Sequence, residues 1–226
     1  VSKCIGTSLA KIAARCKVGK TLAEQDFTKE IIPSYFSVKE SAFPFVKFLG
    51  IDPILSPEMK STGEVMGTGK TFAEAFYKSQ LGANFAHMPK DGAVFIDVRD
   101  KDLTEIVAVA QSLNQSGFAI IAATKTAETL KQSAVECQSV DAKDEQQIVD
   151  KIFNKEITMI INTHPRNGDD FHAEVRKLAL RNKTYYATTL NRAKAIAQTY
   201  QAKFEITVNR LQDLHTQGIV DADNNQ

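Results

Sequence analysis

The chain has 226 residues, 43% of them hydrophobic, with 28 Lys and Arg against 27 Asp and Glu and a formal net charge of +1 at pH 7. Such a length holds one large domain or two modest ones with packed cores, and the balanced charge gives no overall pull toward nucleic acid or an anionic membrane. Cys4, Cys16 and Cys137 are odd in number and scattered through apolar surroundings, as expected of reduced buried thiols; no apolar run reaches the ~18 residues of a membrane span, and the first residues given lack the basic and apolar regions of a signal peptide.

The sequence starts at Val1 without a methionine and reads as if entered in mid-domain, as a piece of a longer protein would. Two textures follow, residues 1–82 and 93–226, joined by a linker at 83–92, "ANFAHMPKDG". In the first, Leu9, Ile12, Ala13 and Cys16 make one apolar helix face that Gly19 ends. "SYFSVKESAFPF" has aromatic strand character, broken by Pro44. Glu40 within it is read as exposed, because a buried carboxylate needs a cationic partner.

"STGEVMGTGKTFAEAF", residues 61–76, ends in the Gly-Lys-Thr of a nucleotide-binding P-loop. That loop needs glycine five positions earlier, and position 64 is Glu64. The stretch is therefore read as a turn made by Gly67 and Gly69, followed by a helix from Thr71 to Gln80 that Gly82 stops.

The second texture alternates strand and helix. "AVFIDV", "FAIIAA", "TMIINT" and "TYYATT" read as strands buried on both faces, with "CQSV" a weaker fifth. Between them, Leu103, Ile106, Val107, Ala110 and Leu113 form a helical stripe, with Asp102 and Glu105 spaced as a capping box. Further stripes are Ile148, Val149, Ile152 and Phe153, then Phe171, Val175, Leu178 and Ala179, then Ala193, Ile196, Ala197 and Tyr200. The pattern predicts an α/β fold, a doubly wound parallel sheet of about five strands, behind a smaller incomplete α+β unit.

Ligands of such sheets bind beyond the carboxyl ends of the strands, where helix N-termini favour anions. Thr124, Lys125 and Thr126 follow the second strand there, either holding a phosphate or simply capping a helix. Asn162, Thr163 and His164 follow the fourth strand, and Thr188 and Thr189 the fifth. His87, His164, His172 and His215 show no metal-ligand spacing and are read as surface or satisfied core histidines. Arg176, Lys177 and Arg181 read as a solvated basic face.

"SVKESAFPFVKFLGIDPILSPEMKSTGEVMGTGKTFAEAFYKSQLG" closely resembles the C-terminal part of the large subunit of glutamine-hydrolysing carbamoyl-phosphate synthase, in which S-V-K-E, P-F-x-K-F, P-E-M-[RK]-S-T-G-E-V-M-G and T-F-A-E-A-F occur in that order. "VSKCIGTSLAKIAARCKVGKTLAEQ" is similar to the preceding segment of that family, and the β-α unit to its terminal methylglyoxal-synthase-like domain. The resemblance implies that residues 1–82 are the tail of the second ATP-grasp domain without the Glu-x-Asn-Pro-Arg stretch that holds metal and nucleotide. No cofactor is expected here and no catalytic residue, ATP and Mg2+ with K+ being expected only of a full-length enzyme. The family's terminal domain binds effectors, nucleotide monophosphates such as UMP and IMP, with ornithine acting nearby. By position, the family's phosphate loop falls on Gly117, Phe118, Ile120, Ala122 and Thr126, and its I-I-N-T on Ile160, Ile161, Asn162 and Thr163. Thr124, Lys125 and Lys143 join the implied effector set, and the ornithine site maps to Glu40, Tyr186 and Thr188. Ala123 and Asp97 depart from the family, the latter placing a carboxylate where an anion should sit. The resemblance further implies a cytoplasmic protein whose partners are the rest of the large subunit, the small glutaminase subunit and further copies of itself, with neither nucleic acid nor membrane. Rival readings are a methylglyoxal-synthase-type lyase, which would need a carboxylate after the fourth strand, and a purely structural interaction module.

Overall fold

The computed structural model describes residues 1–42, 52–54, 63–83, 87–141, 144–165 and 171–217. Its elements run α1 (Ser2–Ile5), α2 (Leu9–Lys17), β1 (Phe36–Ser41), β2 (Glu64–Gly69), α3 (Phe72–Ala83), β3 (Ala93–Asp97), α4 (Leu103–Gln115), β4 (Ala119–Ala123), α5 (Thr124–Gln132), β5 (Gln138–Val140), α6 (Glu145–Phe153), β6 (Ile157–Asn162), α7 (Phe171–Arg181), β7 (Tyr185–Ala187), α8 (Leu190–Gln201) and α9 (Leu211–Gln217). The chain divides into two compact units, one of residues 1–40, 65–82 and those from Phe204 onward, the other of 41–64 and 83–203.

The larger unit is a five-stranded sheet in the order β5-β4-β3-β6-β7, with every neighbouring pair parallel. β3 is central and all of its five residues are buried, which is why it opens with the continuous apolar run "AVFI" rather than an alternation. On one face Phe95, Ile121 and Ile160 pack with Ile148 and Ile152 of α6 and Val175, Leu178 and Ala179 of α7. Val94 and Ile96 alternate to the opposite face, where α4 packs against α5 and α8. Burying a side chain such as Phe95 contributes about 1.5–3 kcal/mol, and this two-sided core is where the fold's stability resides.

Local sequence explains the joints. α4 ends at a Schellman turn, in which the Phe118 N–H donates to the Leu113 carbonyl at 3.1 Å and Gly117 takes φ +95°. Gly117 and Phe118 thereby turn the chain into β4, and the Phe118 ring meets Tyr200 edge-on at 4.8 Å. The capping box expected at Asp102 and Glu105 is not formed, since Asp102 caps nothing and instead accepts from Thr163 and Arg99. A comparable cap occurs at α3, where Thr71 Oγ1 accepts from Glu74 N and Glu74 reaches back to Lys70 N at 2.8 Å.

In the smaller unit β1 and β2 form a two-stranded sheet. Gly67 and Gly69 lie inside β2 and not in the expected turn. A Cβ at Gly67 would stand 2.0 Å from the Ala75 carbonyl oxygen and 2.4 Å from Ser79 N, so the glycine lets the α3 backbone lie directly on the strand. α3 runs on past Gln80 to Ala83, with Gly82 inside it. The segment from Phe204 belongs with this unit and not with the sheet: Phe204 meets Tyr77, Thr207 bonds Glu74 at 3.1 Å, and His215 Nε2 lies 2.7 Å from the Lys3 carbonyl. None of the residues of α2 is buried, so the predicted apolar face lies largely uncovered. Cys16 is exposed, contrary to the buried thiol expected, whereas Cys4 and Cys137 are half-buried. Pro44, residues 55–62 and Lys143 lie outside the described residues. Among those described, no helix is long and apolar enough to cross a membrane.

Candidate functional site

The chain leaves β3 toward β4 and β5, then crosses back to β6, so its direction of winding reverses between β3 and β6. Open parallel sheets bind ligands at such a reversal, beyond the carboxyl ends of the strands. Here Asp97 and Asn162, the last residues of β3 and β6, stand in register.

Asp97 is 5% exposed. Its Oδ1 lies 3.1 Å from Nε2 of His164, just after β6, and its Oδ2 lies 2.9 Å from Nδ1 of His172 in the first turn of α7. The second approach is within ion-pair range. The two imidazoles stack, centroids 3.7 Å apart and planes 12° from parallel. Burial alone would raise the Asp97 pKa; the hydrogen bonds and charge of the two histidines outweigh it and hold the carboxyl at about 2. The carboxylate that looked misplaced for an anion site is thus answered on both oxygens by imidazole.

Arg176 is fully buried on α7. Its Nε and Nη2 donate to the two oxygens of Asp52 at 2.8 and 2.6 Å, a fork-to-fork pair. Its Nη1 donates to Asn162 Oδ1 at 3.0 Å and to the His164 carbonyl at 3.3 Å. The solvated basic face read from the sequence is therefore wrong at Arg176. Lys177 is also buried and pairs with Glu174, and Arg181 alone of the three is exposed. Asn162 is held through its oxygen, while its buried Nδ2 has no hydrogen-bond partner among the described residues.

Because all strands run parallel, the residues after β4, β6 and β7 share one edge of the sheet with Asp97. Thr124 and Lys125 are exposed at the start of α5, and Lys125 pairs at 2.6 Å with Asp100, itself exposed. The N-cap of α5 is Ala123, and no side chain caps that end; Thr124 and Thr126 lie within the helix instead. Thr126 is 1% exposed and its Oγ1 accepts from Val98 N at 3.4 Å. Thr163 is buried, donating to Asp102 at 2.7 Å and accepting from Arg99 N at 3.3 Å. Burial pushes the Asp102 carboxyl up, but Thr163 and Arg99 hold it below its ordinary value. Tyr186 and Thr188 are half-buried at the β7 end, and Thr189 caps α8 by accepting from Arg192 N at 3.3 Å. Glu40 belongs to the other unit, where it is half-buried and accepts from Gln80 at 3.2 Å, rather than exposed.

Sequence reading missed Asp52, Arg176, His164 and His172 as a group. The legible signal was the second small and apolar stripe of α7, Ala173 and Leu180, on which Arg176 falls at helical spacing; all three are buried. Asp52 and Arg176 are 124 positions apart, and no local pattern links them.

A parallel sheet wound in this order, with a polar edge at its winding reversal, defines a class, and residues 105–188 match the MGS-like domain family. Over 95% of its length the chain is 50% identical to part of the carbamoyl phosphate synthase large chain of Pseudomonas syringae pv. tomato, and 49% identical to those of Halomonas eurihalina and Pseudomonas aeruginosa. It matches a fragment of that large subunit, spanning 20% of the length of these relatives. The crystal structure of a methylglyoxal synthase from Elizabethkingia anophelis is 15% identical, with a TM-score of 0.41 over 60% of this chain and 97% of the other.

Proposed function

We propose that this chain is the regulatory, self-associating part of a carbamoyl phosphate synthase large chain and binds a nucleotide monophosphate at the carboxyl edge of its sheet. In this reading carbamoyl phosphate synthesis itself depends on other parts of the enzyme. The observation that carries it is the start of α5, where no side chain caps the helix and Thr124, Lys125 and Thr126 follow directly on a buried strand. Uncapped N–H groups and the helix dipole favour a phosphate there. The exposed ion pair of Lys125 with Asp100 contributes little and is readily exchanged for a ligand phosphate. Asn162 Nδ2 offers a further donor on the same edge. Asp97 does not oppose an anion as a bare charge would, since both its oxygens face histidine. The lyase reading is weaker, because Asn162, Thr163 and His164 stand after the fourth strand of the repeat, where a general-base carboxylate would be needed.

Isothermal titration with UMP, IMP and ornithine, in buffer containing EDTA, tests the proposal. A saturable nucleotide signal is expected, weakened by about 1–3 kcal/mol in Lys125→Ala and in Thr126→Ala, the range for losing a hydrogen bond to a charged group. No heat from either nucleotide, or unchanged affinity in both variants, would refute it.

A further inference from the structure

We propose that Asp97, His164 and His172 form a binding site for one divalent first-row transition ion of the zinc class. The three residues come from different elements, the end of β3, the residues after β6 and the first turn of α7, yet their ligand atoms all lie within 4.8 Å of one another. The carboxylate oxygens stand 3.1 and 2.9 Å from the two imidazole nitrogens. Ligand atoms bonded at about 2.0–2.1 Å to one tetrahedral zinc stand only a little farther apart than this, so a small expansion admits the ion. Two imidazoles and a carboxylate are the donor set that zinc, nickel, copper and iron accept, and hard ions such as magnesium do not favour imidazole.

Groups beyond the three ligands hold two of the adjoining segments in place. The Arg176 guanidinium fixes the main chain at His164 through its carbonyl and fixes the neighbouring Asn162 through Oδ1, while its own charge is answered by Asp52. An ion taken up here would therefore meet the Asp97 carboxylate and no bare cation among these groups. The half-buried rings, with side chains 23% and 24% exposed, leave a path for entry and a position for water or an anion. The stacked rings cannot both point at one ion as they lie, since their planes are 12° from parallel. One imidazole has to turn about χ2, a torsion that is broad for histidine. The site is independent of the nucleotide proposal, which is tested in EDTA.

The test is titration of the metal-stripped 226-residue chain with Co(II), read by its visible d–d absorption, and with Zn(II) in competition. One ion per chain is expected, with affinity falling at least about tenfold in His164→Gln and in His172→Gln, the lower range of losses seen even for outer-shell partners. His87→Gln, at an exposed histidine outside the group, should bind as the parent does. Should a variant fail to fold by circular dichroism, imidazole nitrogen resonances of the parent decide: Zn(II) must shift those of His164 and His172 and spare His87 and His215. Absence of saturable uptake, uptake undiminished in both variants, or ring shifts spread over all histidines would overturn the assignment.

Discussion

Removing Asp52 is the most informative single perturbation of the sheet unit. Arg176 is 1% exposed and Asp52 3% exposed, so neither charge can turn to water when the other is lost. Among the described residues, the guanidinium makes two hydrogen bonds to Asp52 and two to the neutral oxygens of Asn162 and His164. Breaking such a pair leaves an uncompensated buried charge, and Asp52→Ala is expected to cost about 3–5 kcal/mol. Against a typical stability of about 5–15 kcal/mol that is a large share. Arg176→Met should cost a similar amount, because it strands the carboxylate. The double variant Asp52→Leu with Arg176→Met removes both charges together and should be at least about 2 kcal/mol more stable than the sum of the single losses. Urea unfolding followed by far-ultraviolet circular dichroism measures all four proteins. A loss below about 1 kcal/mol for Asp52→Ala, or additive losses, would show that the pair is not the buried, mutually dependent unit described.

Three other outcomes follow from the same structure. Gly67→Ala should destabilise the smaller unit by about 1–3 kcal/mol, since the new Cβ meets backbone of α3; an unchanged urea midpoint would contradict that close approach. Ala134, after α5, has φ +58°, so Ala134→Gly should stabilise by about 1 kcal/mol, and a loss on thermal unfolding would count against the left-handed cap. At Glu74 burial pushes the pKa up, but hydrogen bonds from Lys78 and from Lys70 N prevail and lower it. The lowered value means its stabilisation is complete above the ordinary glutamate range and disappears as pH falls through the folded value. Glu74→Gln should flatten that acid limb of a stability profile, and parallel profiles for the two proteins would exclude the effect.

The sheet was legible because β3, β4 and β6 are covered on both faces, and strands so placed must be apolar along their whole length. Even "CQSV", with one buried residue in Gln138–Val140, could be placed from the rhythm of the repeat. The site was legible only where polar residues follow a strand in sequence, as Thr124 and Asn162 do. Arg176 was misread because a cation within a run of charged residues looks solvated until its partner, distant in sequence, is brought against it. His164 and His172 looked unrelated for the same kind of reason: their proximity depends on β6 ending beside β3 and on the turn that starts α7. Gly67 was misread as a turn because glycine signals both freedom of φ and absence of a side chain, and only the packing of α3 shows which property is used.

The sheet is bordered by β5 and β7, each only three residues long. Brief margins of this kind give another polypeptide few main-chain groups to zip onto. Either border of this sheet therefore offers little to an added strand, which guards the larger unit against lengthening into a ribbon of continuous β-structure.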